Sequence, residues 1–213
     1  MMTGPGASRK SNPPLESGAQ AELSRLVRYS HIFASAVREI LELKIIKEAS
    51  PLPLTISQFH FLKVISLNGQ HQLGELADFL GVSPPAATKN IDKLEGLGLV
   101  LRGASPGDRR VTLLSVSPAG RRVVDKYEAI KVIRLAPVLR EFKARELEQF
   151  ASLLERFAVS LLQHEKSRRE FCLRCEAYID SNCPVGRVRG GCPYQISREG
   201  RTRAEATRTR RAL

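Results

Sequence analysis

The sequence has no apolar run approaching the ~18 residues that a membrane-spanning helix needs, so we expect no transmembrane segment and no membrane partner. Its first 20 residues are rich in Gly, Pro and Ser and lack an apolar core, which argues against a secretory signal and favours a cytoplasmic location. The four histidines are scattered, and no Ser-His-Asp, paired-carboxylate or glycine-rich phosphate-binding constellation is present. We therefore expect no enzymatic activity.

Cysteine is absent from the first 171 residues, and all four cysteines then fall within 21 residues at the spacing C-x2-C-x7-C-x8-C. Without an export signal, a metal centre is favoured over disulfides. Four thiolates at this spacing suit either zinc or an iron–sulfur cluster. Zinc sites more often use two CxxC pairs, whereas Cys-Pro steps are typical of ferredoxin-type clusters, so zinc, a cluster and no metal all stay open. The predicted ligands are Cys172, Cys175, Cys183 and Cys192.

The charge balance is strongly basic. The chain carries 34 Lys or Arg against 22 Asp or Glu, a formal net charge of +12. Residues 166–213 alone hold 12 basic against 5 acidic residues and lose helical periodicity. A protein this basic usually has a polyanionic partner, and nucleic acid is the commonest one. The alternative is a basic surface with no specific partner.

Helical periodicity frames the centre of the chain. Apolar residues recur at helical spacing from Ala21, and Ser50-Pro51 ends that helix because proline cannot continue it. The periodicity returns over about residues 118–143, where Pro137 predicts a kink or a break, and over about residues 146–166.

Between these helices the sequence predicts three short helices followed by a β-hairpin. Each helix follows a capping residue or a loop and ends at glycine or Asn-Gly, the usual boundary signals. The helices begin after Thr55, at Leu73 and after Ser83, and the strands are 99–102 and 110–117. This order is that of a winged helix-turn-helix, so the predicted fold class is mainly α (α+β), with a helical dimerisation domain beside the winged helix-turn-helix.

The third predicted helix has the composition of a recognition helix. Pro84 stands at its first position, where a missing N–H does no harm, and small residues let the backbone approach a DNA groove. Hydroxyl, amide and ammonium groups follow, which can contact base edges and phosphates. The predicted DNA-binding residues of this helix are Ser83, Pro84, Ala86, Thr88, Lys89, Asn90 and Lys93.

The segment after the hairpin turn carries a more specific motif. Residues 108–120 have the sequence DRRVTLLSVSPAG. With the helix-turn-helix and the Leu94–Val100 segment that follows it, this motif resembles the MarR family of transcriptional regulators, whose wing carries Asp-x-Arg, then an apolar residue, Thr or Ser, and Gly at fixed spacing. The resemblance covers about residues 21–165.

The resemblance implies roles for the wing. Asp108 would brace the wing arginines through charge-assisted hydrogen bonds. Arg109 or Arg110 would then enter the DNA minor groove, where narrow A·T tracts attract cations. The alternative is that Arg110 pairs with Asp108 only to brace the turn.

Sequence-independent binding to DNA or RNA, driven by the basic tail, is the alternative to regulation of specific genes.

The resemblance also implies a homodimer on double-stranded DNA and a small-molecule effector. The apolar stripes of the outer helices would be covered by a partner subunit, with an intramolecular three-helix pack as the alternative. Oxidation-sensing members use a cysteine near the first helices, a mechanism this sequence excludes because no cysteine precedes Cys172. The predicted organisation is a disordered arm (1–19), a dimerisation region (20–50 and 118–166), the winged helix-turn-helix (51–117), a four-cysteine module (167–196) and a disordered basic tail (197–213).

Overall fold

The computed structural model describes residues 17–67, 71–105, 112–164, 183 and 186. It confirms the predicted fold class, a mainly helical protein with a small antiparallel sheet. The chain divides into two compact units, residues 1–42 and 43–213, which are described separately. Among the helices of the described residues, none is both long and apolar enough to cross a membrane.

The first unit is built on helix α1, Ser17–Ala36. The helix begins four residues before the predicted start at Ala21, so it takes in the last three residues of the predicted arm, 1–19; the rest of that arm lies outside the described residues. Beyond Ala36 the chain continues as a π-helical segment, Val37–Lys44, which runs into the second unit. The π-helix is rare, and nothing in this sequence signals it.

The second unit opens with four helices: α2 (Ile45–Ala49), α3 (Ile56–Ser66), α4 (Leu73–Leu80) and α5 (Pro84–Gly96). Thr55 caps α3 as predicted, because its hydroxyl accepts the Gln58 N–H at 3.2 Å while the Gln58 side chain accepts the Thr55 N–H at 3.0 Å. This reciprocal capping box satisfies two backbone donors that the helix itself cannot.

A three-stranded antiparallel sheet lies beside these helices in the order β1-β3-β2. The strands are β1 (His71–Gln72), β2 (Val100–Ala104) and β3 (Thr112–Val116). Strands β2 and β3 are the predicted hairpin. The short β1 was not predicted, and it pairs His71 opposite Leu114.

Two long helices complete the unit, α6 (Pro118–Leu139) and α7 (Ala144–His164). The Ser117 hydroxyl caps α6 by accepting the Gly120 N–H at 3.0 Å, and it donates to the Gly98 carbonyl at 2.7 Å. Helix α6 continues for two residues past Pro137 and ends at Leu139, so the break predicted at Pro137 is wrong, and the kink given as its alternative stays a prediction.

The core of the second unit lies where α3, α4, α5, the sheet and the first half of α6 meet. Its largest fully buried side chains include two aromatic residues from α3 and one from α6. By contrast, the second half of α6 and most of α7 leave large apolar side chains exposed. The fully buried side chains are Ile45, Phe59, Phe61, Leu62, Ile65, Leu76, Leu80, Ile91, Leu94, Leu99, Leu114 and Tyr127.

Candidate nucleic-acid interface

Helices α4 and α5 form a helix-turn-helix with a tight connection. Gly81 has a φ of 69°, a left-handed conformation that lets the chain turn directly from α4 towards α5. Helix α5 buries Ala87, Ile91 and Leu94 against the domain. The opposite face of α5 is therefore exposed to solvent.

The predicted DNA-binding residues of α5 divide by exposure. Four of them are exposed, and Ala86, Thr88 and Asn90 are half-buried. Lys89 and Lys93 stand one helical turn apart, so both ammonium groups lie on one side of the helix. The exposed residues are Ser83, Pro84, Lys89 and Lys93.

Thr88 and Asn90 use donor groups inside the helix. The Thr88 hydroxyl donates to the Pro84 carbonyl at 3.0 Å, and the Asn90 amide donates to the Ala86 carbonyl at 2.8 Å. In this arrangement Thr88 offers only lone pairs outward, while Asn90 keeps a second N–H and its carbonyl oxygen. Direct donation from Thr88 to a base edge therefore requires its hydroxyl to rotate.

Arg102 on β2 links the hairpin to α5. Its guanidinium hydrogen-bonds the Asp92 carboxylate, and its Nε lies 3.3 Å from a Glu95 carboxylate oxygen. This contact was not predicted from the sequence. The signal was two carboxylates three residues apart on α5 followed by a basic residue on the next strand.

The wing tip lies outside the described residues. Asp108, Arg109 and Arg110 are the predicted brace and minor-groove contacts, and their roles stay predictions. The structure describes the base of the hairpin, where Ala104 pairs with Thr112.

A charged cluster joins α3 to α6. The Lys63 Nζ lies 2.7 Å from one Glu128 oxygen, and the Lys131 Nζ lies 2.6 Å from the other. The Lys63 Nζ also lies 5.5 Å from the centre of the Tyr127 ring, and the Lys131 Nζ lies 5.4 Å from it. Burial alone raises the pKa of Glu128, but the hydrogen bonds and charges of the two lysines outweigh it, so this pKa lies below its ordinary value of 4.5.

Of the four predicted metal ligands, only Cys183 belongs to the described residues. Its side chain is 7% exposed, and its sulfur accepts the Gly186 N–H at 3.4 Å. Cys172, Cys175 and Cys192 lie outside the described residues, as does the whole basic tail, 197–213. Within the part of the chain that the structure describes, no three His, Cys, Asp or Glu side chains cluster as metal ligands.

Comparison with known proteins agrees with this architecture. Residues 54–112 match the model of the MarR family. The fold is similar to that of a MarR family protein from Bacillus stearothermophilus, with a TM-score of 0.54 and 24% identity over 70% of this chain and 99% of that one.

Two further solved structures share the fold. FabT from Streptococcus pneumoniae, solved in complex with DNA, has a TM-score of 0.59 and 19% identity over 67% of this chain and 99% of that one. RV1404 from Mycobacterium tuberculosis has a TM-score of 0.53 and 25% identity over 68% of this chain and 95% of that one. The match to the MarR family model therefore covers residues 54–112, and the chain shares the winged-helix fold of these solved structures.

Proposed function

We propose that this protein is a transcriptional regulator that binds double-stranded DNA as a homodimer. Helix α5 enters the major groove and the wing enters the minor groove. The observation that carries the proposal is the orientation of α5, which buries Ile91 and Leu94 while it exposes Lys89 and Lys93. A helix that packs against its domain by one face and presents lysines on the other is the element that reads DNA in helix-turn-helix proteins. The FabT complex is an example of this fold bound to DNA.

The exposed apolar residues of α6 and α7 support the dimer. Val132, Ile133, Phe150 and Leu153 are all exposed, and Ile133 is 71% exposed. Large apolar side chains exposed on two helices are costly in water and are typical of an interface. A second copy of the chain is the occupant we propose. A two-fold symmetric dimer places its two recognition helices about one DNA turn, ~34 Å, apart and so reads an inverted repeat.

We further propose that the four cysteines form a metal or iron–sulfur centre that gates DNA binding. Cys183 supports this, because a buried sulfur that accepts a backbone N–H is the environment that stabilises a metal-bound thiolate. Zinc would stabilise a small module with little core of its own, whereas a cluster would make the protein a sensor of iron, oxygen or nitric oxide.

Selection from a pool of random 30-base-pair duplexes tests the DNA-binding proposal. The full chain should enrich one inverted repeat whose half-sites are centred about 10 base pairs apart. A pool that stays random while binding remains tight and salt-sensitive would favour sequence-independent binding instead. RNA that competes as well as the selected duplex would argue against a DNA regulator.

Metal analysis of the anaerobically purified full chain tests the centre. A colourless protein with one zinc per chain would identify a structural site, and absorbance near 400 nm with iron and sulfide would identify a cluster. The Cys183→Ser variant should lose the metal, and Ser160→Ala is the matched control that should keep it. Wild-type protein without zinc, iron or sulfide would contradict the centre.

A further inference from the structure

We propose that Arg102 is a positioning residue that fixes the wing strand β2 against the recognition helix α5. This inference rests on the proposed DNA binding. One guanidinium contacts two carboxylates that stand three residues apart on α5, Asp92 and Glu95. Two simultaneous contacts from a planar, rigid group fix direction as well as distance, which a single flexible contact does not.

The position of Arg102 along β2 explains why such a link is needed. Val100 is buried, and the four residues that follow it in the strand are exposed. Arg102 lies opposite the buried Leu114 of β3, so its stem is on the inner face of the hairpin. Its side chain is only 32% exposed. Beyond Val100 strand β2 contributes no further buried residue, so the ion pairs with α5 take over the role of packing for this strand.

The two ion pairs also change the net charge that α5 presents to DNA. Helix α5 carries Lys89 and Lys93 but also Asp92 and Glu95, so its own formal charge is zero. A neutral helix gains little from the field of a polyanion. Arg102 neutralises the carboxylates, so that the two lysines dominate what α5 presents to phosphate groups.

A direct phosphate contact by Arg102 is the competing role. The two roles predict opposite effects on DNA binding when the two carboxylates are removed. If Arg102 acts mainly by contacting DNA, freeing it from its carboxylates strengthens binding. If it acts by positioning, removing the carboxylates loosens the hairpin and weakens recognition of the selected sequence. Binding to a scrambled duplex does not depend on this geometry and should hold or rise, because two negative charges are gone.

The test uses the full chain with the duplex recovered by selection and a scrambled duplex of the same composition. For D92N/E95Q we expect the ratio of specific to scrambled affinity to fall about 3- to 10-fold, the scale of two partly exposed ion pairs. The ratio should also fall for Arg102→Lys, because an ammonium group keeps the charge but lacks the planar geometry that contacts two carboxylates. Glu48→Gln removes the carboxylate of the Arg134–Glu48 pair between α2 and α6 and is the matched control, with an unchanged ratio.

An unchanged or higher ratio of specific to scrambled affinity for D92N/E95Q would overturn the positioning role. An unchanged ratio for Arg102→Lys would overturn it as well. Thermal melting of each variant, with midpoints within a few degrees of wild type, separates lost positioning from lost folding. Failure of the proposed function is a different result, since wild type itself would then show no preference for any duplex.

Discussion

The Lys63 ammonium nitrogen on α3 lies 2.7 Å from a carboxylate oxygen of Glu128 on α6. The lysine side chain is 6% exposed and the glutamate side chain 39%, so a buried cation is held by a carboxylate at the edge of the solvent. The pair joins the winged-helix core to the helix whose far half carries the proposed dimer surface. The stability of the contact between α3 and α6 therefore depends on the charge of the Glu128 carboxylate.

Glu128→Gln should destabilise the protein by about 1–2 kcal/mol at neutral pH, since Lys63 loses its charged acceptor while partial exposure of Glu128 limits the effect. The pKa of Glu128 is lowered in the folded state, so the carboxylate stabilises the fold above its ordinary pKa of 4.5. That contribution is lost as the pH falls through the folded-state value. Urea unfolding at several pH values should therefore show the wild-type advantage at neutral pH and its loss in acid.

Asp125→Asn, at an exposed position of the same helix, is the control and should change stability little. A Glu128→Gln deficit that persists undiminished in strong acid would show that the ion pair is not its source.

Gly120→Ala should be strongly destabilising. A Cβ at this position would lie 2.2 Å from the Leu99 carbonyl oxygen and 3.0 Å from side-chain carbons of Leu62 and Val116. Backbone cannot yield as a flexible side chain can, so we expect a loss of about 3 kcal/mol, measured by urea unfolding. The contact also explains why the motif of residues 108–120 ends in glycine.

Gly74→Ala is the matched control, because nothing lies within 4 Å of the added Cβ and the residue is in helix α4. It should raise stability by about 0.5–1 kcal/mol through helix propensity. Equal effects of the two substitutions would contradict the close approach of α6 to Leu99.

The boundaries of the central elements were predictable because caps are local. Thr55 and Ser117 accept N–H groups from residues three positions away, and Gly81 and Gly98 have positive φ, so short sequence signals suffice. The start of α5 was predicted from Ser83 and the proline that follows it; Ser83 occupies the N-cap position, but its side chain makes no capping hydrogen bond there.

The rest depends on contacts between distant residues. The two-residue strand β1 is too short to show periodicity, and only its pairing with β3 makes it a strand. The two carboxylates of α5 and the basic residue on the next strand are only a weak signal of the Arg102 contact, because that contact requires the hairpin to fold back on the helix. The partnership of Lys63 with Glu128 spans 65 positions and has no local signature.

Lys93→Ala should reduce the salt dependence of binding. Each lysine that neutralises a phosphate contributes about 0.9 to the slope of log K against log salt, so the dimer should lose about 1.8. Affinity should fall to a similar extent for selected and scrambled duplexes, since phosphate contacts carry no sequence information. Fluorescence anisotropy at four salt concentrations gives both values.

Lys126→Ala removes an exposed lysine from α6 instead, and its slope should match wild type. If it lowers the slope as much as Lys93→Ala, the lysines act through net charge and not through the orientation of α5.

Ile133→Glu should dissociate the dimer. The side chain is among the most exposed large apolar groups of the described residues, and burying a carboxylate in a subunit interface is unfavourable by several kcal/mol. Sedimentation velocity should show a monomer at concentrations where wild type is dimeric. Asp125→Ala, also on α6, should remain dimeric; monomeric wild type would contradict the proposed interface.

In hydroxyl-radical footprinting of the full chain on the selected duplex, we expect two protected half-sites related by a two-fold axis, centred about 10 base pairs apart, with additional minor-groove protection on the outer flanks where the wings reach. Uniform protection along the duplex, lost evenly as salt rises, would contradict a regulator that reads DNA with α5.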